Sequence, residues 1–336
     1  MIRRAAAVTA LALVATLVEL VGAPDVARAD PAGPTDYESE VVGLDPEVTT
    51  IDVDIVGGDS FVRLDVRPGV EVTVQGYQGE PYLWFDADGA VWENRRSPAT
   101  YQNSERYGVG SLPPEADAAA APEWRRVADG GSWVWHDHRA HRMDPFPPVN
   151  AERGEQVLDA VVPLVVDGVE VDVRVASTWM PAPSPWPVGI GLGVGLLLVA
   201  ALRSRVAVAL AAVSAAALAV GVVQFRSLPT STDPRWIWWT MPAIALVLSL
   251  AVVRKPPTVP LWIHGAVLVA AAQLLVWGVE RRHGLSRAIL PTDAPFWLDR
   301  TVSAAALSAG VAAIAIVAAD LLRVRVRPTA PARSDR

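Results

Sequence analysis

Two hydrophobic rhythms divide the chain. Between Thr49 and Val175 apolar and polar residues alternate, whereas beyond Val188 apolar residues run in long unbroken blocks. Thr49–Val56 reads T-T-I-D-V-D-I-V, and Phe61–Val66 and Val70–Val74 keep the same two-residue period, with turns at Gly57-Gly58 and Pro68-Gly69. That period belongs to strands with one face in a core. Pro81–Phe85 and Gly89–Trp92 flank Asp86-Ala87-Asp88-Gly89, and Val157–Val166 and Val169–Val175 flank Asp167-Gly168, a two-residue hairpin signal. No convincing helical period interrupts them. The pattern predicts an antiparallel all-β sandwich or barrel over residues 30–180, roughly 150 residues and large enough to bury its own core. Asn94–Gly131 breaks the pattern: it is polar and rich in Pro, Ala and Gly, a long loop of the kind that is functional or poorly ordered.

The later rhythm predicts an all-α, five-helix transmembrane domain over residues 188–322, with spans at Val188–Leu202, Val206–Gln224, Ile237–Val253, Leu261–Val279 and Ser303–Leu322. At 1.5 Å per residue, runs of this length cross or nearly cross a ~30 Å hydrocarbon layer. Pro181, Pro183, Pro185 and Pro187 make residues 181–187 a stiff linker. Residues 323–336 form a basic tail. At the other end, Arg3 and Arg4, the apolar run Ala5–Val18 and Ala27-Arg28-Ala29 read as an export signal over residues 1–29, leaving Asp30 as the mature start; the alternative is an uncleaved anchor helix, which Glu19 and Pro24 disfavour by shortening the run. The predicted location is therefore a multi-pass cell-membrane protein with the β domain extracytoplasmic and the C-terminus cytoplasmic. Arg203, Arg205, Arg254, Lys255 and the tail arginines then lie inside, a modest bias in the expected direction. Trp186, Trp236, Trp238, Trp239, Trp277 and Trp297 would form an outer aromatic belt. The two outer loops echo each other: Leu228-Pro229-Thr230 precedes Pro234 and Trp236, and Leu290-Pro291-Thr292 precedes Pro295 and Trp297.

Composition agrees and narrows the chemistry. Of 336 residues, 51% are apolar and 19% charged, with a mean hydropathy of +0.28. Residues 30–186 carry 28 acidic side chains against 11 arginines, while residues 187–336 carry 6 against 15 basic ones. An acidic, water-facing block is joined to an apolar, basic one. There is no cysteine, which excludes disulfides, thiolate zinc sites, iron–sulfur clusters and cysteine nucleophiles. Lys255 is the one lysine, and the net charge of −7 argues against a nucleic-acid partner.

Three of the five histidines fall within six residues, in Trp133-Val134-Trp135-His136-Asp137-His138-Arg139-Ala140-His141-Arg142-Met143. On a strand, His136 and His138 point to one face ~6.6 Å apart, and a turn through Arg139-Ala140 brings His141 back. The candidate metal ligands are His136, His138 and His141, joined by Met143 or Asp137. Imidazoles suit copper, zinc or nickel, and a thioether favours Cu(I). Against this, histidines beside tryptophans also form purely structural clusters, and Arg139 and Arg142 repel a cation.

The spacing His-x-His-x-x-His resembles the H-x-H-x-D-H motif of the metallo-β-lactamase fold, but Ala140 stands where that motif has its metal-binding Asp, and the βα alternation is missing. No G-x-S-x-G, P-loop or H-E-x-x-H occurs, so a non-enzymatic role is expected. Transport is disfavoured because Gln273, His264 and Asp320 are too sparse to outline a path through the spans. Asn94-Arg95-Arg96-Ser97-Pro98-Ala99-Thr100-Tyr101, Glu105-Arg106-Tyr107-Gly108 and Trp135-His136-Asp137-His138-Arg139 resemble a group of uncharacterised actinobacterial membrane proteins with a signal peptide, a β-rich outer domain and a helical membrane tail. The resemblance implies architecture and no activity. Copper-resistance β-barrel proteins are a weaker match, because Asp30 stands where they have an N-terminal histidine ligand. Three functions remain: an envelope protein that binds copper, or else zinc, through the histidine cluster; a scaffold binding an envelope protein or glycan through that cluster with Trp84, Trp92, Trp124, Tyr101 and Tyr107; and an outer sensor domain that biases helix packing and signals through a partner protein.

Overall fold

The computed structural model describes residues 32–107, 112–144, 146–232, 234–253 and 261–325. The expected export signal and cleavage site, Arg254, Lys255 and residues 326–336 of the tail lie outside them. Ten strands come first: β1 (Tyr37–Asp45), β2 (Ile51–Val56), β3 (Phe61–Val66), β4 (Val72–Gln75), β5 (Pro81–Phe85), β6 (Val91–Asn94), β7 (Trp124–Ala128), β8 (Ser132–Trp135), β9 (Gln156–Val166) and β10 (Val169–Trp179). A short helix, α1 (Pro98–Gln102), interrupts them, and the helices α2 (Trp186–Ala201), α3 (Val206–Arg226), α4 (Ile237–Val253), α5 (Leu261–Glu280) and α6 (Phe296–Arg325) follow.

The strands form two antiparallel sheets, one of seven in the order β1-β10-β9-β4-β5-β6-β7 and one of three in the order β2-β3-β8. Ile51, Val53, Val62 and Leu64 of the small sheet share one buried cluster with Val72, Leu83, Phe85, Leu164 and Val173 of the large one. This is the face-to-face packing of a sandwich. The β9–β10 hairpin turns at Asp167-Gly168, both with positive φ (47° and 81°), the backbone that this dipeptide tolerates best. The sequence pattern misses β1. Ser39 occupies an inward position there, so a polar residue sits where alternation calls for an apolar one. The stretch expected as one long loop holds α1, capped by the Ser97 side chain and started by Pro98, and the edge strand β7.

In the helical region, Arg203–Arg226, Trp262–Glu280 and Phe296–Leu321 are long and apolar enough to cross a membrane, and Trp186–Ala201 and Ile237–Val253 are shorter apolar helices. Small residues set their packing. Gly191 and Gly195 of α2 lie against the Thr301 and Ala305 carbonyls of α6, and Gly221 of α3 against the Trp238 carbonyl of α4. Such small residues let the helix backbones approach closely. Arg281 is buried and bonds Gln224, Asp299 and Ser303, tying α3 and α6 together. The expected tryptophan belt is divided. Trp186, Trp236 and Trp297 are exposed, but Trp238 and Trp277 are buried, because the Trp277 indole N–H donates to the Trp238 carbonyl between helices (2.8 Å).

The β region rests on the α3–α4 and α5–α6 connections, the two segments that echo each other in sequence. Thr35 and Ile289 exchange backbone hydrogen bonds of 3.1 and 2.9 Å. Asp36 accepts from the Ala288 amide and from Arg287 and Arg153. Phe61 and Val134 leave the sandwich core and pack with Ala32, Leu228 and Trp238. The small sheet is thus covered on both faces, by the large sheet and by the helices.

Candidate metal centre

The β8 strand ends at Trp135, so the histidines lie in the turn that follows and not along a strand. That corrects the expected geometry, and Asp137 supplies the reason. Its carboxylate accepts from the Arg139 amide (3.0 Å), the Arg139 guanidinium (2.8 and 2.9 Å) and the Trp135 indole (3.0 Å). Its carbonyl accepts from the Ala140 amide (2.9 Å). A side chain that bonds its own backbone two residues on makes a tight turn, and this turn returns His141 beside His136. The strongest bonds of Asp137 go to Arg139, which holds its carboxyl below the ordinary value against the cost of full burial. The structure therefore gives Asp137 a positioning role and does not place it among the converging donors.

His136, His138 and His141 each offer one ligand atom, all within 4.8 Å of one another. Ring centroids lie 4.6 Å apart for His136 and His141, 5.6 Å for His136 and His138, and 5.7 Å for His138 and His141. Each ring is tied by one nitrogen to a backbone carbonyl: His136 Nδ1 to Ser60 (2.5 Å), His138 Nε2 to Glu105 (2.8 Å) and His141 Nδ1 to Arg142 (3.2 Å). A carbonyl only accepts, so the tautomer that satisfies all three contacts carries its protons on these nitrogens. His136 Nε2 and His141 Nε2 are then both lone pairs, and they face each other at 2.9 Å. If instead one ring shared an Nε2 proton with the other, its Nδ1 lone pair would point at a carbonyl oxygen. A cation between the rings removes the conflict. With metal–nitrogen bonds of ~2.0–2.1 Å, two donors so spaced subtend about 90° at the ion. A ligating imidazole that donates its other N–H to a carbonyl is the usual second-sphere arrangement.

Burial pushes the His136 ring down to about 4, with Arg106 adding to the effect, and pushes His141 down to about 3, with His136 and Arg106 adding. Both are neutral, the ligand form, at pH 7. The Phe61 ring meets His136 (5.9 Å) and the Tyr107 ring meets His141 (5.8 Å) at steep angles; His136 and His141 are buried, while His138 is half-buried on the open side. The neighbouring arginines are each paired: Arg139 with Asp137, Arg142 with Asp144 and Arg106 with Asp59. Met143, half-buried, lies two residues past His141.

Sequence reasoning passed over Ser60, Phe61, Asp59, Glu105 and Arg106 as parts of this centre. Ser60 and Glu105 act through backbone carbonyls, which carry no residue signature. The motif pieces Glu105-Arg106-Tyr107 and His136-Asp137-His138 nonetheless meet in space. The polar–aromatic surface expected around the cluster is divided. Trp84 stacks on Trp92 (6.1 Å) and touches Trp124 on β5–β7, with indole N–H groups on Glu71 and Asp86. Tyr101 bonds the Arg95 carbonyl from α1, and only Tyr107 sits at the triad. Comparison with family models, curated proteins and solved structures finds no match.

Proposed function

We propose that this is a membrane-anchored cell-envelope protein whose β domain binds a transition metal, copper in the first place and zinc in the second, through His136, His138 and His141. One observation carries the reading: three imidazoles from one turn each spend one nitrogen on a backbone carbonyl and turn toward one another, with two Nε2 lone pairs 2.9 Å apart. A structural histidine cluster has no reason to oppose two lone pairs, since one proton shared between the rings is stabilising where the second nitrogens are free. Three imidazole nitrogens leave room for a fourth ligand. Met143 is the nearest thioether in the chain, and its sulfur favours Cu(I).

Apolar side chains on the outer faces of the helices support the anchoring half of the proposal. Leu197 is 69% and Val247 66% exposed, surfaces that lipid covers and water does not. Five spans, an extracytoplasmic β domain, a cytoplasmic C-terminus and a cleaved signal complete the proposal on the sequence evidence. The chain belongs by this reading to binding proteins and not to enzymes.

The test is calorimetric titration of the full-length protein in detergent with Cu(I), Cu(II) and Zn(II). At least one ion binds the native protein at least tenfold more tightly than the His136→Ala/His138→Ala double variant. Equal affinity for every ion sinks the metal reading.

A further inference from the structure

We propose that the histidine centre is coupled to the helical region, so that metal loading is transmitted through Asp59, Ser60 and Phe61 to Leu228, Trp238 and Ile289. The proposal rests on the metal reading above and adds a function to it: the helices register whether the centre is filled.

The segment joining β2 to β3 has two sides. On one, the Ser60 carbonyl accepts from His136 Nδ1 and the Phe61 ring lies edge-on to His136. On the other, Phe61 packs with Leu228 and Trp238. Gly58 lies so close to Ile289 that a Cβ would meet its Cγ2 at 2.7 Å. Asp59 accepts from the Thr35 hydroxyl (3.1 Å), and Thr35 is bridged to Ile289. A second route runs in parallel. Asp59 pairs with Arg106, and the preceding residue, Glu105, holds His138 through its carbonyl.

Phe61 is 1% exposed and Trp238 6%, so neither ring moves without its neighbours. The Trp238 carbonyl is the acceptor for the Trp277 indole of α5 and the surface against which Gly221 of α3 is packed. One residue of α4 at the end of this chain of contacts therefore touches two other helices. An ion shared by the two Nε2 atoms fixes the spacing of His136 and His141, which face each other at 2.9 Å, and its loss frees that spacing to change. His136 takes Ser60 and Phe61 with it. Coupling of this kind is reciprocal: whatever fixes Phe61 from the helical side raises the affinity of the centre. Phe61 and Ile289 are positioning residues, acting on the ligands through others.

The experiment is hydrogen–deuterium exchange on the full-length protein in detergent, with and without Cu(I) and, separately, Zn(II). Peptides covering 226–240 and 284–292 exchange about fivefold or more slowly in the loaded protein, a typical size for coupling between sites. They do not respond in the His136→Ala/His138→Ala variant. Reciprocally, Phe61→Leu and Ile289→Ala each lower metal affinity about fivefold, while Leu197→Ala on the outer face of α2 leaves it unchanged. Ile289→Ala lies outside the sandwich core, so it reports even where Phe61→Leu fails to fold. Metal binding with no change in helical exchange overturns the coupling and leaves the metal centre standing. Binding of neither ion overturns both.

Discussion

Metal-free protein should lose stability as the pH falls below the ordinary histidine range, and the loss traces to two rings. Folded, His136 and His141 are held at about 4 and about 3 by burial and by Arg106; unfolded, both return to 6.5. Between those values the unfolded chain binds protons that the native one refuses. The contribution is complete above pH 6.5 and drains away as the pH drops toward 4 for His136 and toward 3 for His141. A displacement of one pH unit is worth about 1.4 kcal/mol, so His136 alone accounts for about 3 kcal/mol over the window. Near pH 5 each ring contributes a slope of about 1.4 kcal/mol per pH unit. The assay is hydrogen exchange of the β3 and β8 amides in full-length, metal-free protein, corrected for intrinsic rates. The comparison is His136→Phe/His141→Leu, which keeps the volume and removes the protons. The native slope should exceed that of the variant by about 2–3 kcal/mol per pH unit near pH 5. Equal slopes would refute the reasoning that the two rings are buried neutral. A saturating metal adds stability by mass action, about 2.7 kcal/mol at a hundred times its Kd, and that increment should shrink below about pH 4, where protons compete for the same nitrogens.

The other predictions are simpler to read. Asp137→Asn removes a carboxylate that touches no ligand nitrogen, yet it loosens the turn and leaves Arg139 buried without its charge partner; calorimetry should show metal affinity falling at least tenfold and denaturant unfolding a loss of about 3 kcal/mol or more. Asp59→Asn takes the ion-pair carboxylate from buried Arg106, which keeps its bond to the Ser60 hydroxyl; the cost should be similar and recovered in large part by adding Arg106→Gln, measured by thermal unfolding. In the helical region, Gly195→Ala pushes a methyl into Ser308 and the Ala305 carbonyl, whereas Gly193→Ala meets nothing within 4 Å. Thermal unfolding in detergent should drop clearly for the first and stay within about 0.5 kcal/mol for the second, and equal effects would mean that α2 does not pack on α6 through that face.

The β9–β10 hairpin shows what is legible locally. Alternation on both sides of Asp167-Gly168 specifies strands, turn and register together, because the dipeptide is among the few that accept positive φ at both positions. The apolar runs of the helices are equally plain, since a chain that is apolar all round has few other folds open to it. Short or irregular pieces were not legible. β1 carries Ser39 inward, and β7 is an edge strand of five residues, W-R-R-V-A, with no buried apolar face to declare it. The boundary of β8 differs for another reason: Asp137 bonds its own backbone, and the strand ends at Trp135, three residues short of His138, where the alternation would carry it.

Three histidines in six residues already named the three side chains that could hold a metal, and the composition already excluded thiolate chemistry. Which nitrogen of each ring is free was decided by tertiary structure, because it depends on carbonyls of Ser60 and Glu105 that are distant in the chain and anonymous in sequence. The fate of Asp137 was decided the same way. As a residue type it is a reasonable ligand, but a buried carboxylate goes to the nearest guanidinium, and Arg139 is two residues away. Nor does the sequence say that the β region sits on Leu228 and Ile289. It repeats an LPT motif in two loops, and only packing brings both loops beneath the same sheet.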